Sequence, residues 1–124
     1  MTRHPTSALI EGLLVLRLDA PLYFANAQSV ADRVRDLVDV ADPPVRAVVI
    51  DADTQDTPDV TGADAVASIA ADLAARGIPL FVGSMHETVR SFLRDHHFVE
   101  LPAEQDLPTL AAAVEAARCL PHPG

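Results

Sequence analysis

The residues best equipped for chemistry lie between Asp51 and Asp64. Asp51, Asp53, Asp56, Asp59 and Asp64 crowd this stretch, which ends in Asp59-Val60-Thr61-Gly62 at the mouth of a helix. A calcium loop of the EF-hand type needs Gly at its sixth position and Glu at its twelfth. Counted from Asp51, those positions hold Asp56 and Gly62, so the match fails. Asp51 and Asp53 have the spacing of a phosphotransfer pair after a strand. The chain has no Lys to hold a phosphate, however; all 9 of its basic residues are Arg. The carboxylates therefore read as a solvated acidic loop, with no metal site and no carboxylate catalysis.

What remains is anion binding by backbone. Thr61 stands where unpaired N–H groups and the helix dipole favour a negative group such as phosphate. Its hydroxyl is either an N-cap, with Asp64 as a capping-box partner, or a phosphoacceptor or lining group of an anion site. Gly83-Ser84 opens the third helix in a similar way. Tyr23 and Phe24 are adjacent on an extended segment, so they point in opposite directions. Either both plug the core, or one lines a ligand or partner surface beside the Thr61 loop. The candidate nucleotide- or anion-binding set is Tyr23, Phe24, Asp59, Val60, Thr61, Gly62, Gly83 and Ser84.

Other chemistry is missing. His96 and His97 are adjacent and lack the i, i+4 spacing that puts two imidazoles on one helix face. There is no Gly-x-Ser-x-Gly elbow, Walker loop or Gly-x-Gly-x-x-Gly. Ser68 and Ser91 sit inside helices with no evident base. No catalytic residue is named, and the chain is read as non-enzymatic.

The elements that carry these residues follow from periodicity. Ala8–Ile10 and Leu13–Leu18 are strands joined by a tight turn at Glu11-Gly12. Asn26 caps a helix that runs to about Ala41, with Val30, Val34, Leu37, Val38 and Ala41 on one face. Pro43-Pro44 separates it from the strand Val45–Asp51. A second helix runs from about Thr61 to Arg76 and ends at Gly77. The strand Ile78–Gly83 follows, then a third helix opened by Ser84 with Glu87 as a capping box. Phe98-Val99 reads as a short edge strand. Leu107–Cys119 is a last helix, with Leu107, Leu110, Val114 and Ala117 facing inward. Alternation of strand and helix predicts an α/β sheet with parallel crossovers. Residues 8–119 form one domain between a flexible arm, 1–7, and a flexible tail, 120–124.

Composition narrows the partners. A net charge of -9 argues against non-specific nucleic-acid binding and against docking on anionic lipid. One cysteine, Cys119, makes no internal disulfide. The N-terminus lacks an apolar signal core, and no stretch approaches the roughly 18 to 20 apolar residues that span a bilayer. The chain by itself reads as cytoplasmic, with no direct membrane insertion.

The whole pattern resembles the STAS domain, the fold of the bacterial anti-sigma factor antagonists, over about Ala8 to Cys119. Three pieces carry the resemblance: the order of elements, the Asp59-Val60-Thr61-Gly62 loop, and Asp19-Ala-Pro-Leu-Tyr-Phe-Ala-Asn-Ala27 followed by Val48-Val49-Ile50-Asp51-Ala52. The loop is similar to the antagonists' Asp-Ser-Ser-Gly, and Thr61 falls on their phosphorylated serine. The third piece looks like the cytoplasmic C-terminal STAS domain of SulP-type sulfate and anion transporters. The resemblance implies a mixed sheet of four or five strands with about four helices mainly on one side. It implies a non-catalytic regulatory domain whose partner is the parent's membrane domain, on the cytoplasmic face of the inner membrane. It requires no cofactor, and it implies GDP or GTP as candidate ligands near the loop. The alternative is a free-standing anti-sigma factor antagonist controlled through Thr61, although Val60-Thr61 departs from the antagonists' Ser-Ser.

Overall fold

A computed structural model describes residues 6–10, 12–18, 27–41, 44–55, 60–98 and 101–120. Three parallel strands form the centre: β2 (Leu13–Arg17), β3 (Ala47–Asp51) and β4 (Leu80–Gly83). Each is a near-continuous apolar run because both sheet faces are covered there. The edge strand β1 (Thr6–Ile10) pairs antiparallel with β2 through a turn that holds Gly12 at φ +81°, where glycine carries no steric penalty. A two-residue strand, β5 (Asp106–Leu107), pairs parallel with β4 at the other edge. The sheet order is β1-β2-β3-β4-β5, a mixed five-stranded sheet.

Alternation along each central strand sorts side chains between two layers. Leu14, Leu16, Val48, Ile50, Leu80 and Val82 pack against α1 (Ala27–Val40) and α2 (Val60–Ala75). Val89, Phe92 and Leu93 of α3 (Glu87–Asp95) line one cavity together with Ile50 and Val82, on this same face. The opposite residues, Leu13, Val15, Ala47, Val49 and Phe81, bury Ala113 and Ala117 of α4 (Leu110–Arg118). Three helices therefore lie on one face and one short helix on the other.

The ends of several elements differ from the sequence reading. Leu107 belongs to β5, and α4 starts three residues later, where the Thr109 hydroxyl accepts from Ala112 N–H at 3.0 Å. Leu107, Leu110 and Val114 still pack on the α4-side core, as their periodicity predicted. The edge strand beside β4 is Asp106–Leu107, and Phe98 lies in no strand. Phe98 stacks on Phe92 at 5.9 Å between ring centroids, and Val99 lies outside the described residues. Ser84 makes no capping box, because the N-cap of α3 is His86, which gives no side-chain cap bond. Ser84 instead adopts φ +62°, with its N–H donating to Leu107 O at 3.1 Å. Asn26 also lies outside the described residues.

Candidate functional site

The C-terminal edge of the parallel strands is where open α/β sheets place ligands. Here the loops leaving β2, β3 and β4 are stitched together. Ala52 N–H donates to Gly83 O at 2.9 Å, and the Thr54 hydroxyl donates to Leu18 O at 2.8 Å. His86 Nε2 lies 2.7 Å from Asp53 O, so a proton on that nitrogen joins the β3 loop to the β4 loop. Asp51 is held at both oxygens: Oδ1 accepts from Asp53 N–H at 3.1 Å, and Oδ2 faces Arg17 Nε at 3.6 Å. Among the described residues, no group of three or more His, Cys, Asp or Glu side chains could hold a metal ion.

Thr61 is the second residue of α2, half-buried, rather than the residue before it. Val60 already has helical backbone, so Thr61 lies inside the helix, and the residues just before Val60 lie outside the described residues. Val60 is 61% exposed, whereas Gly62 and Ala63 are buried. Tyr23 and Phe24 lie outside the described residues, so their predicted place beside this loop is not located. Gly83 sits beneath α4: a Cβ there would lie 2.7 Å from Leu110 Cα and from Thr109 O. Glycine at 83 is thus required by the close approach of α4, and Ser84 N–H is engaged by β5. Of the predicted anion-binding residues that the structure describes, Val60, Thr61 and Gly62 are gathered at one helix mouth.

Sequence reasoning missed the cavity beneath that mouth. It has a volume of about 60 Å³, and its lining runs from Ala52 and Gln55 past Gly62, Ala63 and Val66 to Met85 and Phe92. Among the described lining residues, Gln55 has the one polar side chain. The volume is far below the ~300 Å³ at the small end of ligand pockets, so a nucleotide base does not fit inside. An anion would have to lie outside, at the first turn of α2. The cavity could not be read from sequence because residues from three strands' ends and three helices meet there.

A polar clamp fixes the helix that closes this cavity. Arg90 donates to both oxygens of Asp106, Nε to Oδ2 at 2.6 Å and Nη2 to Oδ1 at 3.0 Å. It also donates to Glu87 at 2.6 Å and to Met85 O at 3.2 Å. Hydrogen bonding to Asp106, then to Glu87, holds the guanidinium pKa above its ordinary value. Glu87 is pushed below the usual carboxylate value by Arg90 first and by Ser91 second. The bidentate fork ties α3 to β5, so the cavity wall and the sheet edge move as one.

Known proteins share this architecture. The family model for the STAS domain matches residues 4–117. A probable sulfate transporter of Mycobacterium tuberculosis is 32% identical over 116 residues, which is 93% of this chain and 21% of that protein. The chain spans about a fifth of the length of the curated relatives it matches. A crystal structure of a sulfate transporter family protein from Wolinella succinogenes superposes with a TM-score of 0.72 at 20% identity, covering 90% of this chain and 88% of that one. A Thermotoga maritima putative anti-sigma factor antagonist superposes with a TM-score of 0.74 at 15% identity, covering 92% and 94%. At these identities the two structures show the fold alone.

Proposed function

Because this chain belongs to the STAS domain family, we propose that it is the non-catalytic regulatory domain of a SulP-type sulfate or anion transporter, working against the parent's membrane domain on the cytoplasmic side. The observation that carries the proposal is the extent of the match: 93% of this chain aligns to 21% of a sulfate transporter. No described helix is long and apolar enough to cross a membrane, so any transport path must be built by other segments. Sulfate uptake by the native-length protein, with and without residues 8–119, tests the reading. Uptake is expected to change in rate or in its response to effectors. Identical uptake from the two forms, at equal abundance, would refute a regulatory role.

The finer part of the proposal concerns GDP or GTP. Its phosphates would lie at the first turn of α2, beside Thr61 and Gly62, with the base outside the 60 Å³ cavity. An NMR titration with GDP, GTP and ATP, with and without magnesium, tests it. Saturable shifts centred on Val60–Ala63 support nucleotide sensing, and a flat response removes it while leaving the transporter reading intact. The anti-sigma antagonist alternative rests on fold similarity and on Thr61. A Thr61 lying inside the first turn and half-buried is a poorer kinase substrate than an exposed loop residue, which favours the transporter reading.

A further inference from the structure

The inner face of α2 loses bulk toward its start. Gly62, Val66, Ile69 and Leu73 follow one another at helical spacing, so the side chains shrink step by step toward the helix mouth. Gly62 and Ala63 are buried there, and with Ala52, buried just past β3, they line the cavity of about 60 Å³. Small side chains leave this space open. By the cost of engineered cavities, an empty space of that volume lowers the folding equilibrium constant about tenfold. Water is a poor occupant. A buried water needs roughly two to four polar partners, whereas Gln55 has the one polar side chain among the described lining residues. The walls suit an apolar guest. The unbranched Met85 thioether adapts its shape to what it meets, while the fork from Arg90 to Asp106 holds α3 in place above the space.

We propose that this cavity binds the unbranched alkyl end, about two or three carbons long, of a small molecule whose polar end stays outside, at Gln55 and the first turn of α2. Volume sets the length. An apolar cavity of ~150 Å³ holds a whole benzene, so the 60 Å³ here holds about two or three carbons. An aromatic ring is too large, which sets this ligand apart from a nucleotide base. The place suits a ligand as well. Ile50 and Val82 bring the C-terminal ends of β3 and β4 into the lining, and open α/β sheets bind small molecules at that edge. An alkyl end seated there touches both strands, α2 and α3 at once. The site stands whether or not the chain serves a transporter, and its test uses no transport assay.

The test is methyl NMR of the 124-residue chain, titrated with xenon and with 1-alkanols from methanol to 1-pentanol. Saturable shifts are expected at the methyl groups of Val66, Ile69, Met85 and Val89, all in the lining. Alkanol affinity is expected to rise about fourfold with each added methylene as far as 1-propanol, and then to level off once the cavity is full. Ala63→Val and Ala52→Val each fill the space. Either should weaken alkanol binding at least about tenfold, the loss of roughly two buried methylenes, while Ala74→Val at an exposed position of α2 leaves it unchanged. The two filling variants stand on different elements, so one that misfolds leaves the other to decide. Shifts that grow linearly with alkanol, or affinity that keeps rising beyond 1-propanol, overturn the proposal. Wild-type affinity in a folded filling variant overturns it too. Xenon shifts without an alkanol response reveal a closed void with no place for a polar end, and that result also overturns it.

Discussion

Substituting Gly83 tests how closely α4 is seated on the sheet. A Cβ at 83 would lie 2.7 Å from Leu110 Cα and Thr109 O and 2.8 Å from Leu110 N. Carbon atoms settle at about 3.5 to 4.0 Å, so the start of α4 must retreat by about 1 Å. All three obstacles are backbone atoms, so no rotamer change relieves them. Lifting α4 opens a gap under Ala113 and Ala117, which are fully buried on Leu13, Val15, Ala47, Val49 and Phe81. A gap of that size forfeits roughly a quarter to a half of the contact attraction. Overpacking costs about 1 to 3 kcal/mol, offset by about 0.4 to 1 kcal/mol from restricting the unfolded chain. Gly83→Ala is therefore expected to lose about 1 to 2 kcal/mol net in equilibrium urea unfolding. Its largest amide shifts are expected at Thr109–Ala113. Gly77→Ala is the control: Gly77 has φ +71° with nothing within 4 Å, so it suffers backbone strain without a clash. Its amide shifts should stay near 77 and leave α4 undisturbed. A Gly83→Ala protein within about 0.5 kcal/mol of wild type, with unperturbed α4 amides, would refute the close seating of α4.

Other expectations follow from the clamp and the core. A double-mutant cycle with Arg90→Met and Asp106→Asn should give a coupling of about 1 to 2 kcal/mol by urea unfolding, and additive single effects would show that the fork does not hold α3. Glu87 has a folded pKa below its ordinary value of 4.5. Its contribution to stability is thus present above that value and lost as pH falls through the depressed folded pKa. Melting temperature should therefore fall more steeply in wild type than in Glu87→Gln as pH drops from 6 toward 3, and parallel curves would contradict the assignment. Leu73, on the inner face of α2 and only 1% exposed, should cost about 2 to 5 kcal/mol on truncation to Ala. A smaller loss would mean that α2 collapses onto the gap.

Much of the molecule was legible without coordinates because its signals are local. The apolar runs read as Leu13–Leu18, Val45–Asp51 and Ile78–Gly83 are confined to short segments bounded by turn residues, and they contain the three central strands. Helix spacing identified Val30 and Val34 as core. The reading failed where a residue's role depends on a distant partner. Leu107 continues the apolar pattern of α4, but Val82 and Gly83 recruit Asp106 and Leu107 into the sheet. Ser84 has the spacing of a cap, but Leu107 O takes its N–H and holds it at positive φ.

The site divides along the same line. Sequence alone determined that a helix opens after β3 near Thr61, because strand, loop and helix follow one another along the chain. It also excluded an EF-hand and a Walker loop, since those motifs are defined by spacing. Only the tertiary structure decided that Gly83 serves the seating of α4, that Arg90 locks α3 to the sheet edge, and that Leu9 and Ile10 of β1 stay exposed. Each of these depends on residues brought together across the fold, and on how far a helix layer reaches over the sheet. Those distances are set by packing, and no local pattern in the sequence encodes them.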